Sequence, residues 1–215
     1  MKESKKKIIL TAIELFNQNG VGNVRVHDIA KAAQISPGNL TYHFPTKKAL
    51  MEAVYIYMKS RLEEFTLVED NPVDIVVDAL KKTRDYLNFQ IKFRFFYRDT
   101  LEITKLYPDI RQAYRKRIQN VINFNRKLIY QAVQQGYMQA ESHSGQYDML
   151  ARNAWAILNS WLIEQEIMGT NILEGVKASL ELHYPYFTQK GREFYDKMIE
   201  VLPKLAASEN LQNLE

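Results

Sequence analysis

Hydrophobic positions recur at helical spacing along almost the whole chain. In residues 4–19, Ile9, Ala12, Ile13 and Phe16 fall at offsets of 0, 3, 4 and 7, which places them on one helical face. The same pattern predicts further helices, over 26–33, 37–44, 47–65, 72–91, 93–106, 109–135, 146–168, 173–183 and 190–207. No segment has the strict alternation of a half-buried strand. The sequence therefore predicts an all-α protein.

Turn residues mark the ends of the N-terminal helices. Gly20 ends the first helix, since glycine readily adopts the left-handed conformation found after a helix. Ser36 precedes Pro37, and a serine N-cap followed by proline in the first turn favours a helix start. Pro45 breaks the third helix, and Thr46 is placed to cap the fourth.

Composition excludes several classes of protein. The chain has 215 residues and no cysteine, which excludes disulfide scaffolds, thiolate metal sites and cysteine nucleophiles. No apolar run approaches the roughly 18 residues of a membrane span. The run that follows Lys7 is interrupted at Glu14 and lacks a signal-peptide cleavage site. We therefore expect a soluble, cytoplasmic protein with no membrane partner.

Positive charge is concentrated at the N-terminus. Residues 1–50 hold eight basic and three acidic side chains, a net charge of +5, whereas the remainder has 21 and 22, a net charge of −1. One basic end on a near-neutral body is typical of a polyanion-binding protein. An ordinary solvated, lysine-rich terminus has the same charge, and this alternative stays open.

The second and third helices have the pattern of a helix-turn-helix. Ala30 and Ala33 supply small residues where two helices cross, and Ile35, Leu40 and Phe44 can anchor the second helix of the pair. The polar side chains of that helix then point outwards, where they can meet base edges and phosphates in a major groove. These side chains are Asn39, Thr41, Tyr42 and His43. A simple αα-hairpin without DNA-binding function has a similar pattern.

Residues 9–50 resemble the N-terminal domain of the tetracycline-repressor (TetR) family of bacterial regulators. The shared features are A-x-x-L-F…G, D-I-A-x-x-A and I-S-P-G-N-L-x-Y-H-F-P-x-K. The resemblance implies an all-helical homodimer with a three-helix DNA-binding domain, 1–46, and a helical ligand-binding and dimerisation domain, 47–208. Helix 47–65 would link the two, and residues 209–215 would form a frayed tail.

The resemblance also assigns DNA contacts by position. They fall at the start of the second helix, on the recognition helix and at the start of the fourth helix. The residues are Arg25, His27, Ser36, Pro37, Gly38, Asn39, Thr41, Tyr42, His43 and Lys47. For His43, packing as an aromatic side chain is the alternative. Lys2, Lys5, Lys6 and Lys7 form either a DNA-binding arm or a solubilising terminus.

Two positions depart from the family pattern. Arg25 replaces the threonine that commonly caps the second helix, and Asn23 is the candidate substitute cap. Thr41 replaces a common tyrosine, so the operator sequence cannot be borrowed from a relative.

An aromatic stripe follows in the middle of the chain. Tyr86, Phe89, Phe93, Phe96 and Tyr97 fall within an arc of about 100° on a continuous helix. Hydrophobic core is the first interpretation, and the wall of a pocket for an apolar or aromatic effector is the second. The candidate pocket residues are Phe89, Phe93, Phe96, Tyr97, Tyr107, Phe124 and Trp155. A single-strand stacking platform is disfavoured, because Arg94 and Arg98 lie on a different face.

Helix 146–168 is apolar over about 160°, more than the roughly 100° that a surface helix needs. Either it crosses a large core or it packs on a second subunit, and the resemblance favours the second subunit. The candidate dimer residues are Leu150, Ala154, Ile157, Trp161 and Met168.

No catalytic or metal motif is apparent. None of the four histidines has a histidine or acidic residue three or four positions away, and no G-x-S-x-G sequence occurs. The preferred hypothesis is a ligand-responsive repressor that binds a palindromic operator as a homodimer and is released by a small molecule. It needs no cofactor, no metal and no enzymatic activity. The alternatives are a helical enzyme or carrier and an architectural DNA-binding protein without sequence preference.

Overall fold

The computed structural model describes residues 3–66 and 75–207, which form eleven α-helices and one 3-10 turn, with no β-strand among these residues. The N-terminal helices are α1 (Glu3–Asn19), α2 (Val26–Ala32), α3 (Pro37–His43) and α4 (Lys47–Thr66). The middle helices are α5 (Ile75–Lys92), α6 (Arg94–Arg98), α7 (Thr100–Leu106) and α8 (Pro108–Gln134). The last helices are α9 (Gln146–Met168), α10 (Ile172–Glu181) and α11 (Gln189–Ala207), with the 3-10 turn Tyr184–Tyr186 before α11. The predicted all-α class is confirmed.

The described residues form two compact units. The first unit contains residues 3–66 and 89–115, and the second contains residues 75–88 and 116–207. The predicted DNA-binding segment, 1–46, is thus part of a larger unit that also includes α4, α6 and α7. The functional boundary at residue 46 stays a prediction. The predicted tail, 209–215, and the predicted start of the helix at residue 72 lie outside the described residues.

The core of the first unit is built on the apolar face of α1. Ile8, Ile9, Ala12, Ile13 and Phe16 are all buried, as their helical spacing predicts. The next three helices contribute further buried side chains to the first unit, which are Ile29, Ala30, Leu40, Leu50, Met51 and Val54. Burial of these apolar side chains holds the short helices α2 and α3, of seven residues each, which would be marginal alone.

The predicted helix boundary between residues 91 and 93 is confirmed, because the backbone leaves helical geometry at Phe93 (φ −114°, ψ 32°) between α5 and α6. The predicted single helix over 93–106 is wrong, because the backbone leaves helical geometry again at Asp99 (φ −98°, ψ 15°) and divides this segment into α6 and α7. A hydrogen-bond partner from α1 explains the first break. Asn17 Nδ2 donates to Lys92 O at 2.9 Å, and Phe95 N donates to Asn17 Oδ1 at 3.0 Å.

The break also divides the aromatic stripe. Phe89, Phe93 and Phe96 are nevertheless all buried in the first unit, with Phe95 beside them. Their rings pack edge to face or tilted, with centroids 4.7 Å apart for Phe89 and Phe93 and 6.4 Å apart for Phe95 and Phe96. These are favourable aromatic geometries, and the prediction that the stripe is core is confirmed for these residues.

The second unit has an aromatic core at the junction of α8, α9 and α11. Tyr147 is fully buried and donates from its hydroxyl to Gln139 O at 2.7 Å. Met138 and Phe187 pair through an isolated antiparallel bridge, which closes the loops before α9 and α11. A second cluster consists of Leu87, Trp161, Val176, Met198 and Leu202.

Close packing at Gly191 generates a stability prediction. A Cβ atom at this position would lie 2.0 Å from Tyr137 O and 2.9 Å from the Cβ of Phe187. Alanine normally stabilises a helix relative to glycine by up to about 1 kcal/mol. For Gly191→Ala we expect the opposite sign, with a free energy of unfolding lowered by about 2 kcal/mol through overpacking. Chemical denaturation measures it, with exposed Lys197→Ala as the control. A gain in stability would contradict this packing.

Candidate nucleic-acid interface

Helix α3 separates apolar and polar side chains as the sequence predicts. Leu40 is completely buried, and Phe44, which follows the helix, is 5% exposed. Ser36, Pro37, Gly38, Asn39, Thr41 and Tyr42 are all exposed. Tyr42 reaches 83% exposure, which is unusual for a large aromatic side chain that has a structural role. The polar side of α3 is thus free to meet another molecule.

Hydrogen bonds fix the start of α3. The predicted N-cap is confirmed, because Asn39 N donates to Ser36 Oγ at 3.1 Å. Thr41 Oγ1 donates back to Pro37 O at 2.9 Å, so the hydroxyl proton of Thr41 is already used. Thr41 therefore offers its methyl group and its oxygen lone pairs, but not its proton, to a ligand.

The turn between α2 and α3 is tight. Ile35 N donates to Ala30 O at 3.0 Å, and Gln34 adopts a left-handed conformation with φ of 54°. Ala30 and Ala33 are buried at the helix crossing, where their small side chains allow close approach. This arrangement confirms the predicted helix-turn-helix geometry.

Arg25 and His27, at the start of α2, are exposed. The cap of α2 differs from our expectation. Asp28 Oδ2 accepts a hydrogen bond from Arg25 N at 2.9 Å, so an acidic residue inside the first turn satisfies the N-cap backbone. Asn23 is not the substitute cap, because its Nδ2 donates to Asn19 O at the end of α1. The sequence signal was present, since Asp28 stands three residues after Arg25.

For His43, the structure shows the packing that the sequence left open as an alternative. The side chain is half-buried, with its ring edge-on to Tyr42 at 5.3 Å between centroids. Its Nε2 lies 3.2 Å from Ser4 Oγ, in the first turn of α1. Packing therefore holds the ring, and a phosphate contact by His43 stays a prediction.

Lys47 has a structural role that the sequence did not reveal. Its Nζ donates to Val21 O at 2.6 Å and to Val24 O at 2.7 Å, which ties the start of α4 to the turn between α1 and α2. Burial lowers the pKa of the Lys47 amine, and the nearby Glu102 carboxylate partly opposes this shift. Two of its three protons are therefore committed within the chain. The predicted phosphate contact stays a prediction. The predicted cap of α4 is confirmed, since Ala49 N donates to Thr46 Oγ1.

The candidate pocket residues do not all fall in one unit. Phe89, Phe93, Phe96 and Tyr107 are buried in the first unit, and Tyr97 is half-buried there. Phe124, which is 43% exposed, and Trp155, which is half-buried, belong to the second unit. An open groove of about 360 Å³ on α8 is lined by residues outside this set, namely Arg126, Lys127, Tyr130, Gln131 and Gln134. The pocket assignment stays a prediction.

Gln90 is a buried polar residue that the sequence pattern did not reveal. It follows Phe89 on α5, and it is 1% exposed. Neither Nε2 nor Oε1 has a hydrogen-bond partner within the described part of the chain. A buried amide without partners is costly in an apolar environment. Because Asn88, Lys92 and Arg94 are polar as well, the surrounding sequence carries no signal that singles out Gln90.

The candidate dimer residues divide by exposure. Leu150, Ala154 and Trp161 are buried by the chain itself, so their burial needs no second subunit. Ile157 is half-buried, and Met168 is 71% exposed. The same helix also exposes Ile163 (48%) and Ile167 (76%). Assignment of this helix to a dimer interface stays a prediction.

Membrane and metal features are absent from residues 3–66 and 75–207. None of the helices in these ranges combines the length and hydropathy that a bilayer crossing requires. No three histidine, aspartate or glutamate side chains within these ranges gather as a metal site.

Two models of known protein families match this chain. Residues 8–54 match the model described as bacterial regulatory proteins of the tetR family. Residues 57–195 match the TetR model, described as a bacterial transcriptional repressor.

Curated transcriptional regulators also resemble this chain in sequence. The chain is 32% identical over 103 residues to the uncharacterized HTH-type transcriptional regulator YuxN of Bacillus subtilis, covering 43% of this chain and 35% of that protein. It is 32% identical over 91 residues to IcaR of Staphylococcus aureus, the HTH-type negative transcriptional regulator of the biofilm operon icaADBC, covering 42% of this chain and 49% of IcaR. The matches thus span half or less of these curated relatives.

A solved structure matches over nearly the full length. A TetR-family transcriptional regulator from Marinobacter aquaeolei VT8 superimposes with a TM-score of 0.81 and 25% sequence identity, covering 95% of this chain and 98% of that one.

The Lys47 clamp generates a second stability prediction. Lys47→Met keeps the aliphatic stem but leaves the carbonyls of Val21 and Val24 without their donor. We expect the free energy of unfolding to fall by about 1–3 kcal/mol. The adjacent Lys48→Met is the matched control, because Lys48 is exposed and makes only surface ion pairs. Equal stability of the two variants in urea denaturation would contradict the clamp.

Gln90 generates a prediction of the opposite sign. Gln90→Met preserves the shape and removes both buried polar atoms. We expect the free energy of unfolding to rise by about 1–3 kcal/mol, since an unsatisfied buried group carries a cost of that size. Gln90→Ala should instead lower it, because it leaves a cavity. Thermal and urea denaturation of the effector-free protein measure both variants, and a destabilised Gln90→Met would show that the amide is satisfied.

Proposed function

The chain belongs to the tetR family of bacterial regulatory proteins, and we propose that it is a ligand-responsive repressor that binds a palindromic DNA operator as a homodimer. The observation that carries this proposal is the arrangement of α3. Its polar side chains are exposed, while Leu40 on the other side of the helix is buried in the core. A recognition helix needs this combination, since it must present side chains to DNA without moving.

The α3 side chains suit a major groove. An asparagine such as Asn39 can pair with the N6 and N7 atoms of adenine, and the Thr41 methyl group can contact the methyl group of thymine. The Tyr42 hydroxyl is placed for a base edge or a phosphate. A Cβ atom at Gly38 would have no neighbour closer than 4.0 Å, so a DNA backbone can approach this position closely. Arg25, His27 and Lys47 would hold phosphates, which set the position of the helix rather than its sequence preference.

A palindromic operator would require a homodimer, because its two half-sites are related by two-fold symmetry. Two recognition helices separated by one turn of DNA, about 34–36 Å, would read the two halves of a palindrome. The exposed apolar side chains of α9 support a subunit contact, namely Ile163, Ile167 and Met168, together with half-buried Ile157. A two-fold interface buries the same patch on both subunits.

A small apolar or aromatic effector would regulate DNA binding. Gln90 supports such a ligand, because its buried amide could hydrogen-bond a polar group of the effector while aromatic rings contact the remainder. The effector would shift α4 and so change the separation of the two α3 helices. This is a population shift, which requires that the effector prefer the form that does not bind DNA.

The proposal places the protein in the cytoplasm, with its DNA target, and requires no enzymatic step. An architectural protein without sequence preference is the main alternative, and its DNA affinity would be independent of sequence.

The test is selection of bound fragments from the source genome, followed by affinity measurement. We expect a palindromic winner bound at least about 10³-fold more tightly than scrambled DNA. In Asn39→Ala, affinity for the winner should fall by about 10-fold or more, which corresponds to the roughly 1–3 kcal/mol of a bidentate base contact. Binding to scrambled DNA should hardly change.

The control is Gln134→Ala, an exposed substitution on α8. Equal affinity of the wild type for winner and scrambled duplexes would contradict the repressor and favour the architectural alternative. An equal effect of Asn39→Ala on both duplexes would remove Asn39 from base recognition.

A further inference from the structure

The first turn of α1 lies against the C-terminal end of the recognition helix. Ser4 Oγ is 3.2 Å from His43 Nε2, and Lys5 Nζ lies 5.7 Å from the ring centroid of Phe44. These contacts join the N-terminus of the chain to the last residues of the proposed DNA-binding helix. Lys5 is therefore held beside the C-terminal end of α3, and Lys6 and Lys7 follow it in the first turns of α1.

These lysines carry uncompensated charge. Lys5, Lys6 and Lys7 are exposed, and within the described ranges none of them forms an ion pair with an acidic side chain. Glu3 is the acidic residue in the first turn of the helix. By contrast, Lys48 at the start of α4 lies within 4 Å of both Glu52 and Asp109. No acidic side chain of the described residues thus neutralises the three α1 lysines through an ion pair.

The placement of these lysines opposes helix stability. The N-terminal end of a helix carries a partial positive charge, so cations there are repelled and acidic side chains are favoured. Three consecutive lysines at this end break that rule. Sequences that depart from local preferences of this kind are found mainly at functional sites. A bound polyanion would turn the repulsion into attraction.

We propose that Lys5, Lys6 and Lys7, at the start of α1, form a contact surface for the DNA sugar-phosphate backbone that extends the α3 interface. This inference rests on the proposed DNA-binding function. The contact is independent of sequence, because lysine ammonium groups bind phosphates as point charges. Its contribution is to overall affinity and to its salt dependence.

The experiment uses the full chain and a duplex of random sequence, of about 30 base pairs so that it spans a two-half-site operator, together with the selected operator. Affinity is measured by fluorescence anisotropy between about 50 and 200 mM KCl. The variant is Lys5→Gln/Lys6→Gln/Lys7→Gln. The matched control, Lys116→Gln/Lys177→Gln/Lys197→Gln, removes the same charge from exposed positions of the second unit.

The slope of log affinity against log salt should become less negative by about 0.9 for each phosphate that the variant no longer neutralises. The fall in affinity between about 50 and 200 mM salt should therefore shrink by between about 12-fold, for one phosphate per subunit of the homodimer, and roughly 1,800-fold, for three per subunit. The change should be the same on random duplex and operator. The control should keep the wild-type slope.

Thermal unfolding separates a DNA contact from a folding role. Because the helix loses an unfavourable charge interaction, the α1 variant should unfold at the same or a higher temperature than the wild type. An α1 variant with the slope of the control would overturn the inference while leaving the repressor proposal intact. Weaker binding accompanied by a lower unfolding temperature would also overturn it. If the wild type bound neither duplex, both proposals would fall.

Discussion

The side-chain amide of Asn17 satisfies two backbone groups that the helix break at Phe93 leaves without helical partners. In a continuous helix, Phe95 N would donate to Ile91 O, and Lys92 O would accept from Phe96 N. Instead Phe96 N donates to Phe93 O, while Asn17 Oδ1 accepts from Phe95 N and Asn17 Nδ2 donates to Lys92 O. Arg98, on α6, also donates a hydrogen bond to Asn17 O near the end of α1. Buried backbone groups must be paired, so the break and the end of α1 stabilise each other.

Helices α2 and α3 depend on these hydrogen bonds. Asp99, at the next break, accepts a hydrogen bond from Val21 N in the turn after α1, and Lys47 donates to Val21 O and Val24 O. The turn is thus held by α4 and by the segment between α6 and α7. Helix α7 follows this segment directly, so a change in its geometry would reach the turn that precedes α2.

Helix α9 shows why apolar width alone does not identify an interface. Leu150 and Trp161 are buried within the chain, Leu150 beside Tyr147 and Trp161 against Gly175. Ile163 and Ile167 are exposed on the same helix. A sequence pattern records only that a side chain is apolar. Which apolar side chains remain for a partner depends on the loops and helices that the chain folds over them.

The sequence by itself determined the helical class, the bounds of most helices, the Ser36 and Thr46 caps and the outward side of α3. These features depend on interactions within about four residues, where helical periodicity and capping preferences act directly. Tertiary structure decided the break at Asp99, the hydrogen bonds of Asn17 at the Phe93 break, the clamp by Lys47, the burial of the Gln90 amide and the burial of Trp161. Each of these depends on groups from a distant part of the chain. Asn17 meets Phe95 across 78 residues, and no local pattern encodes that meeting.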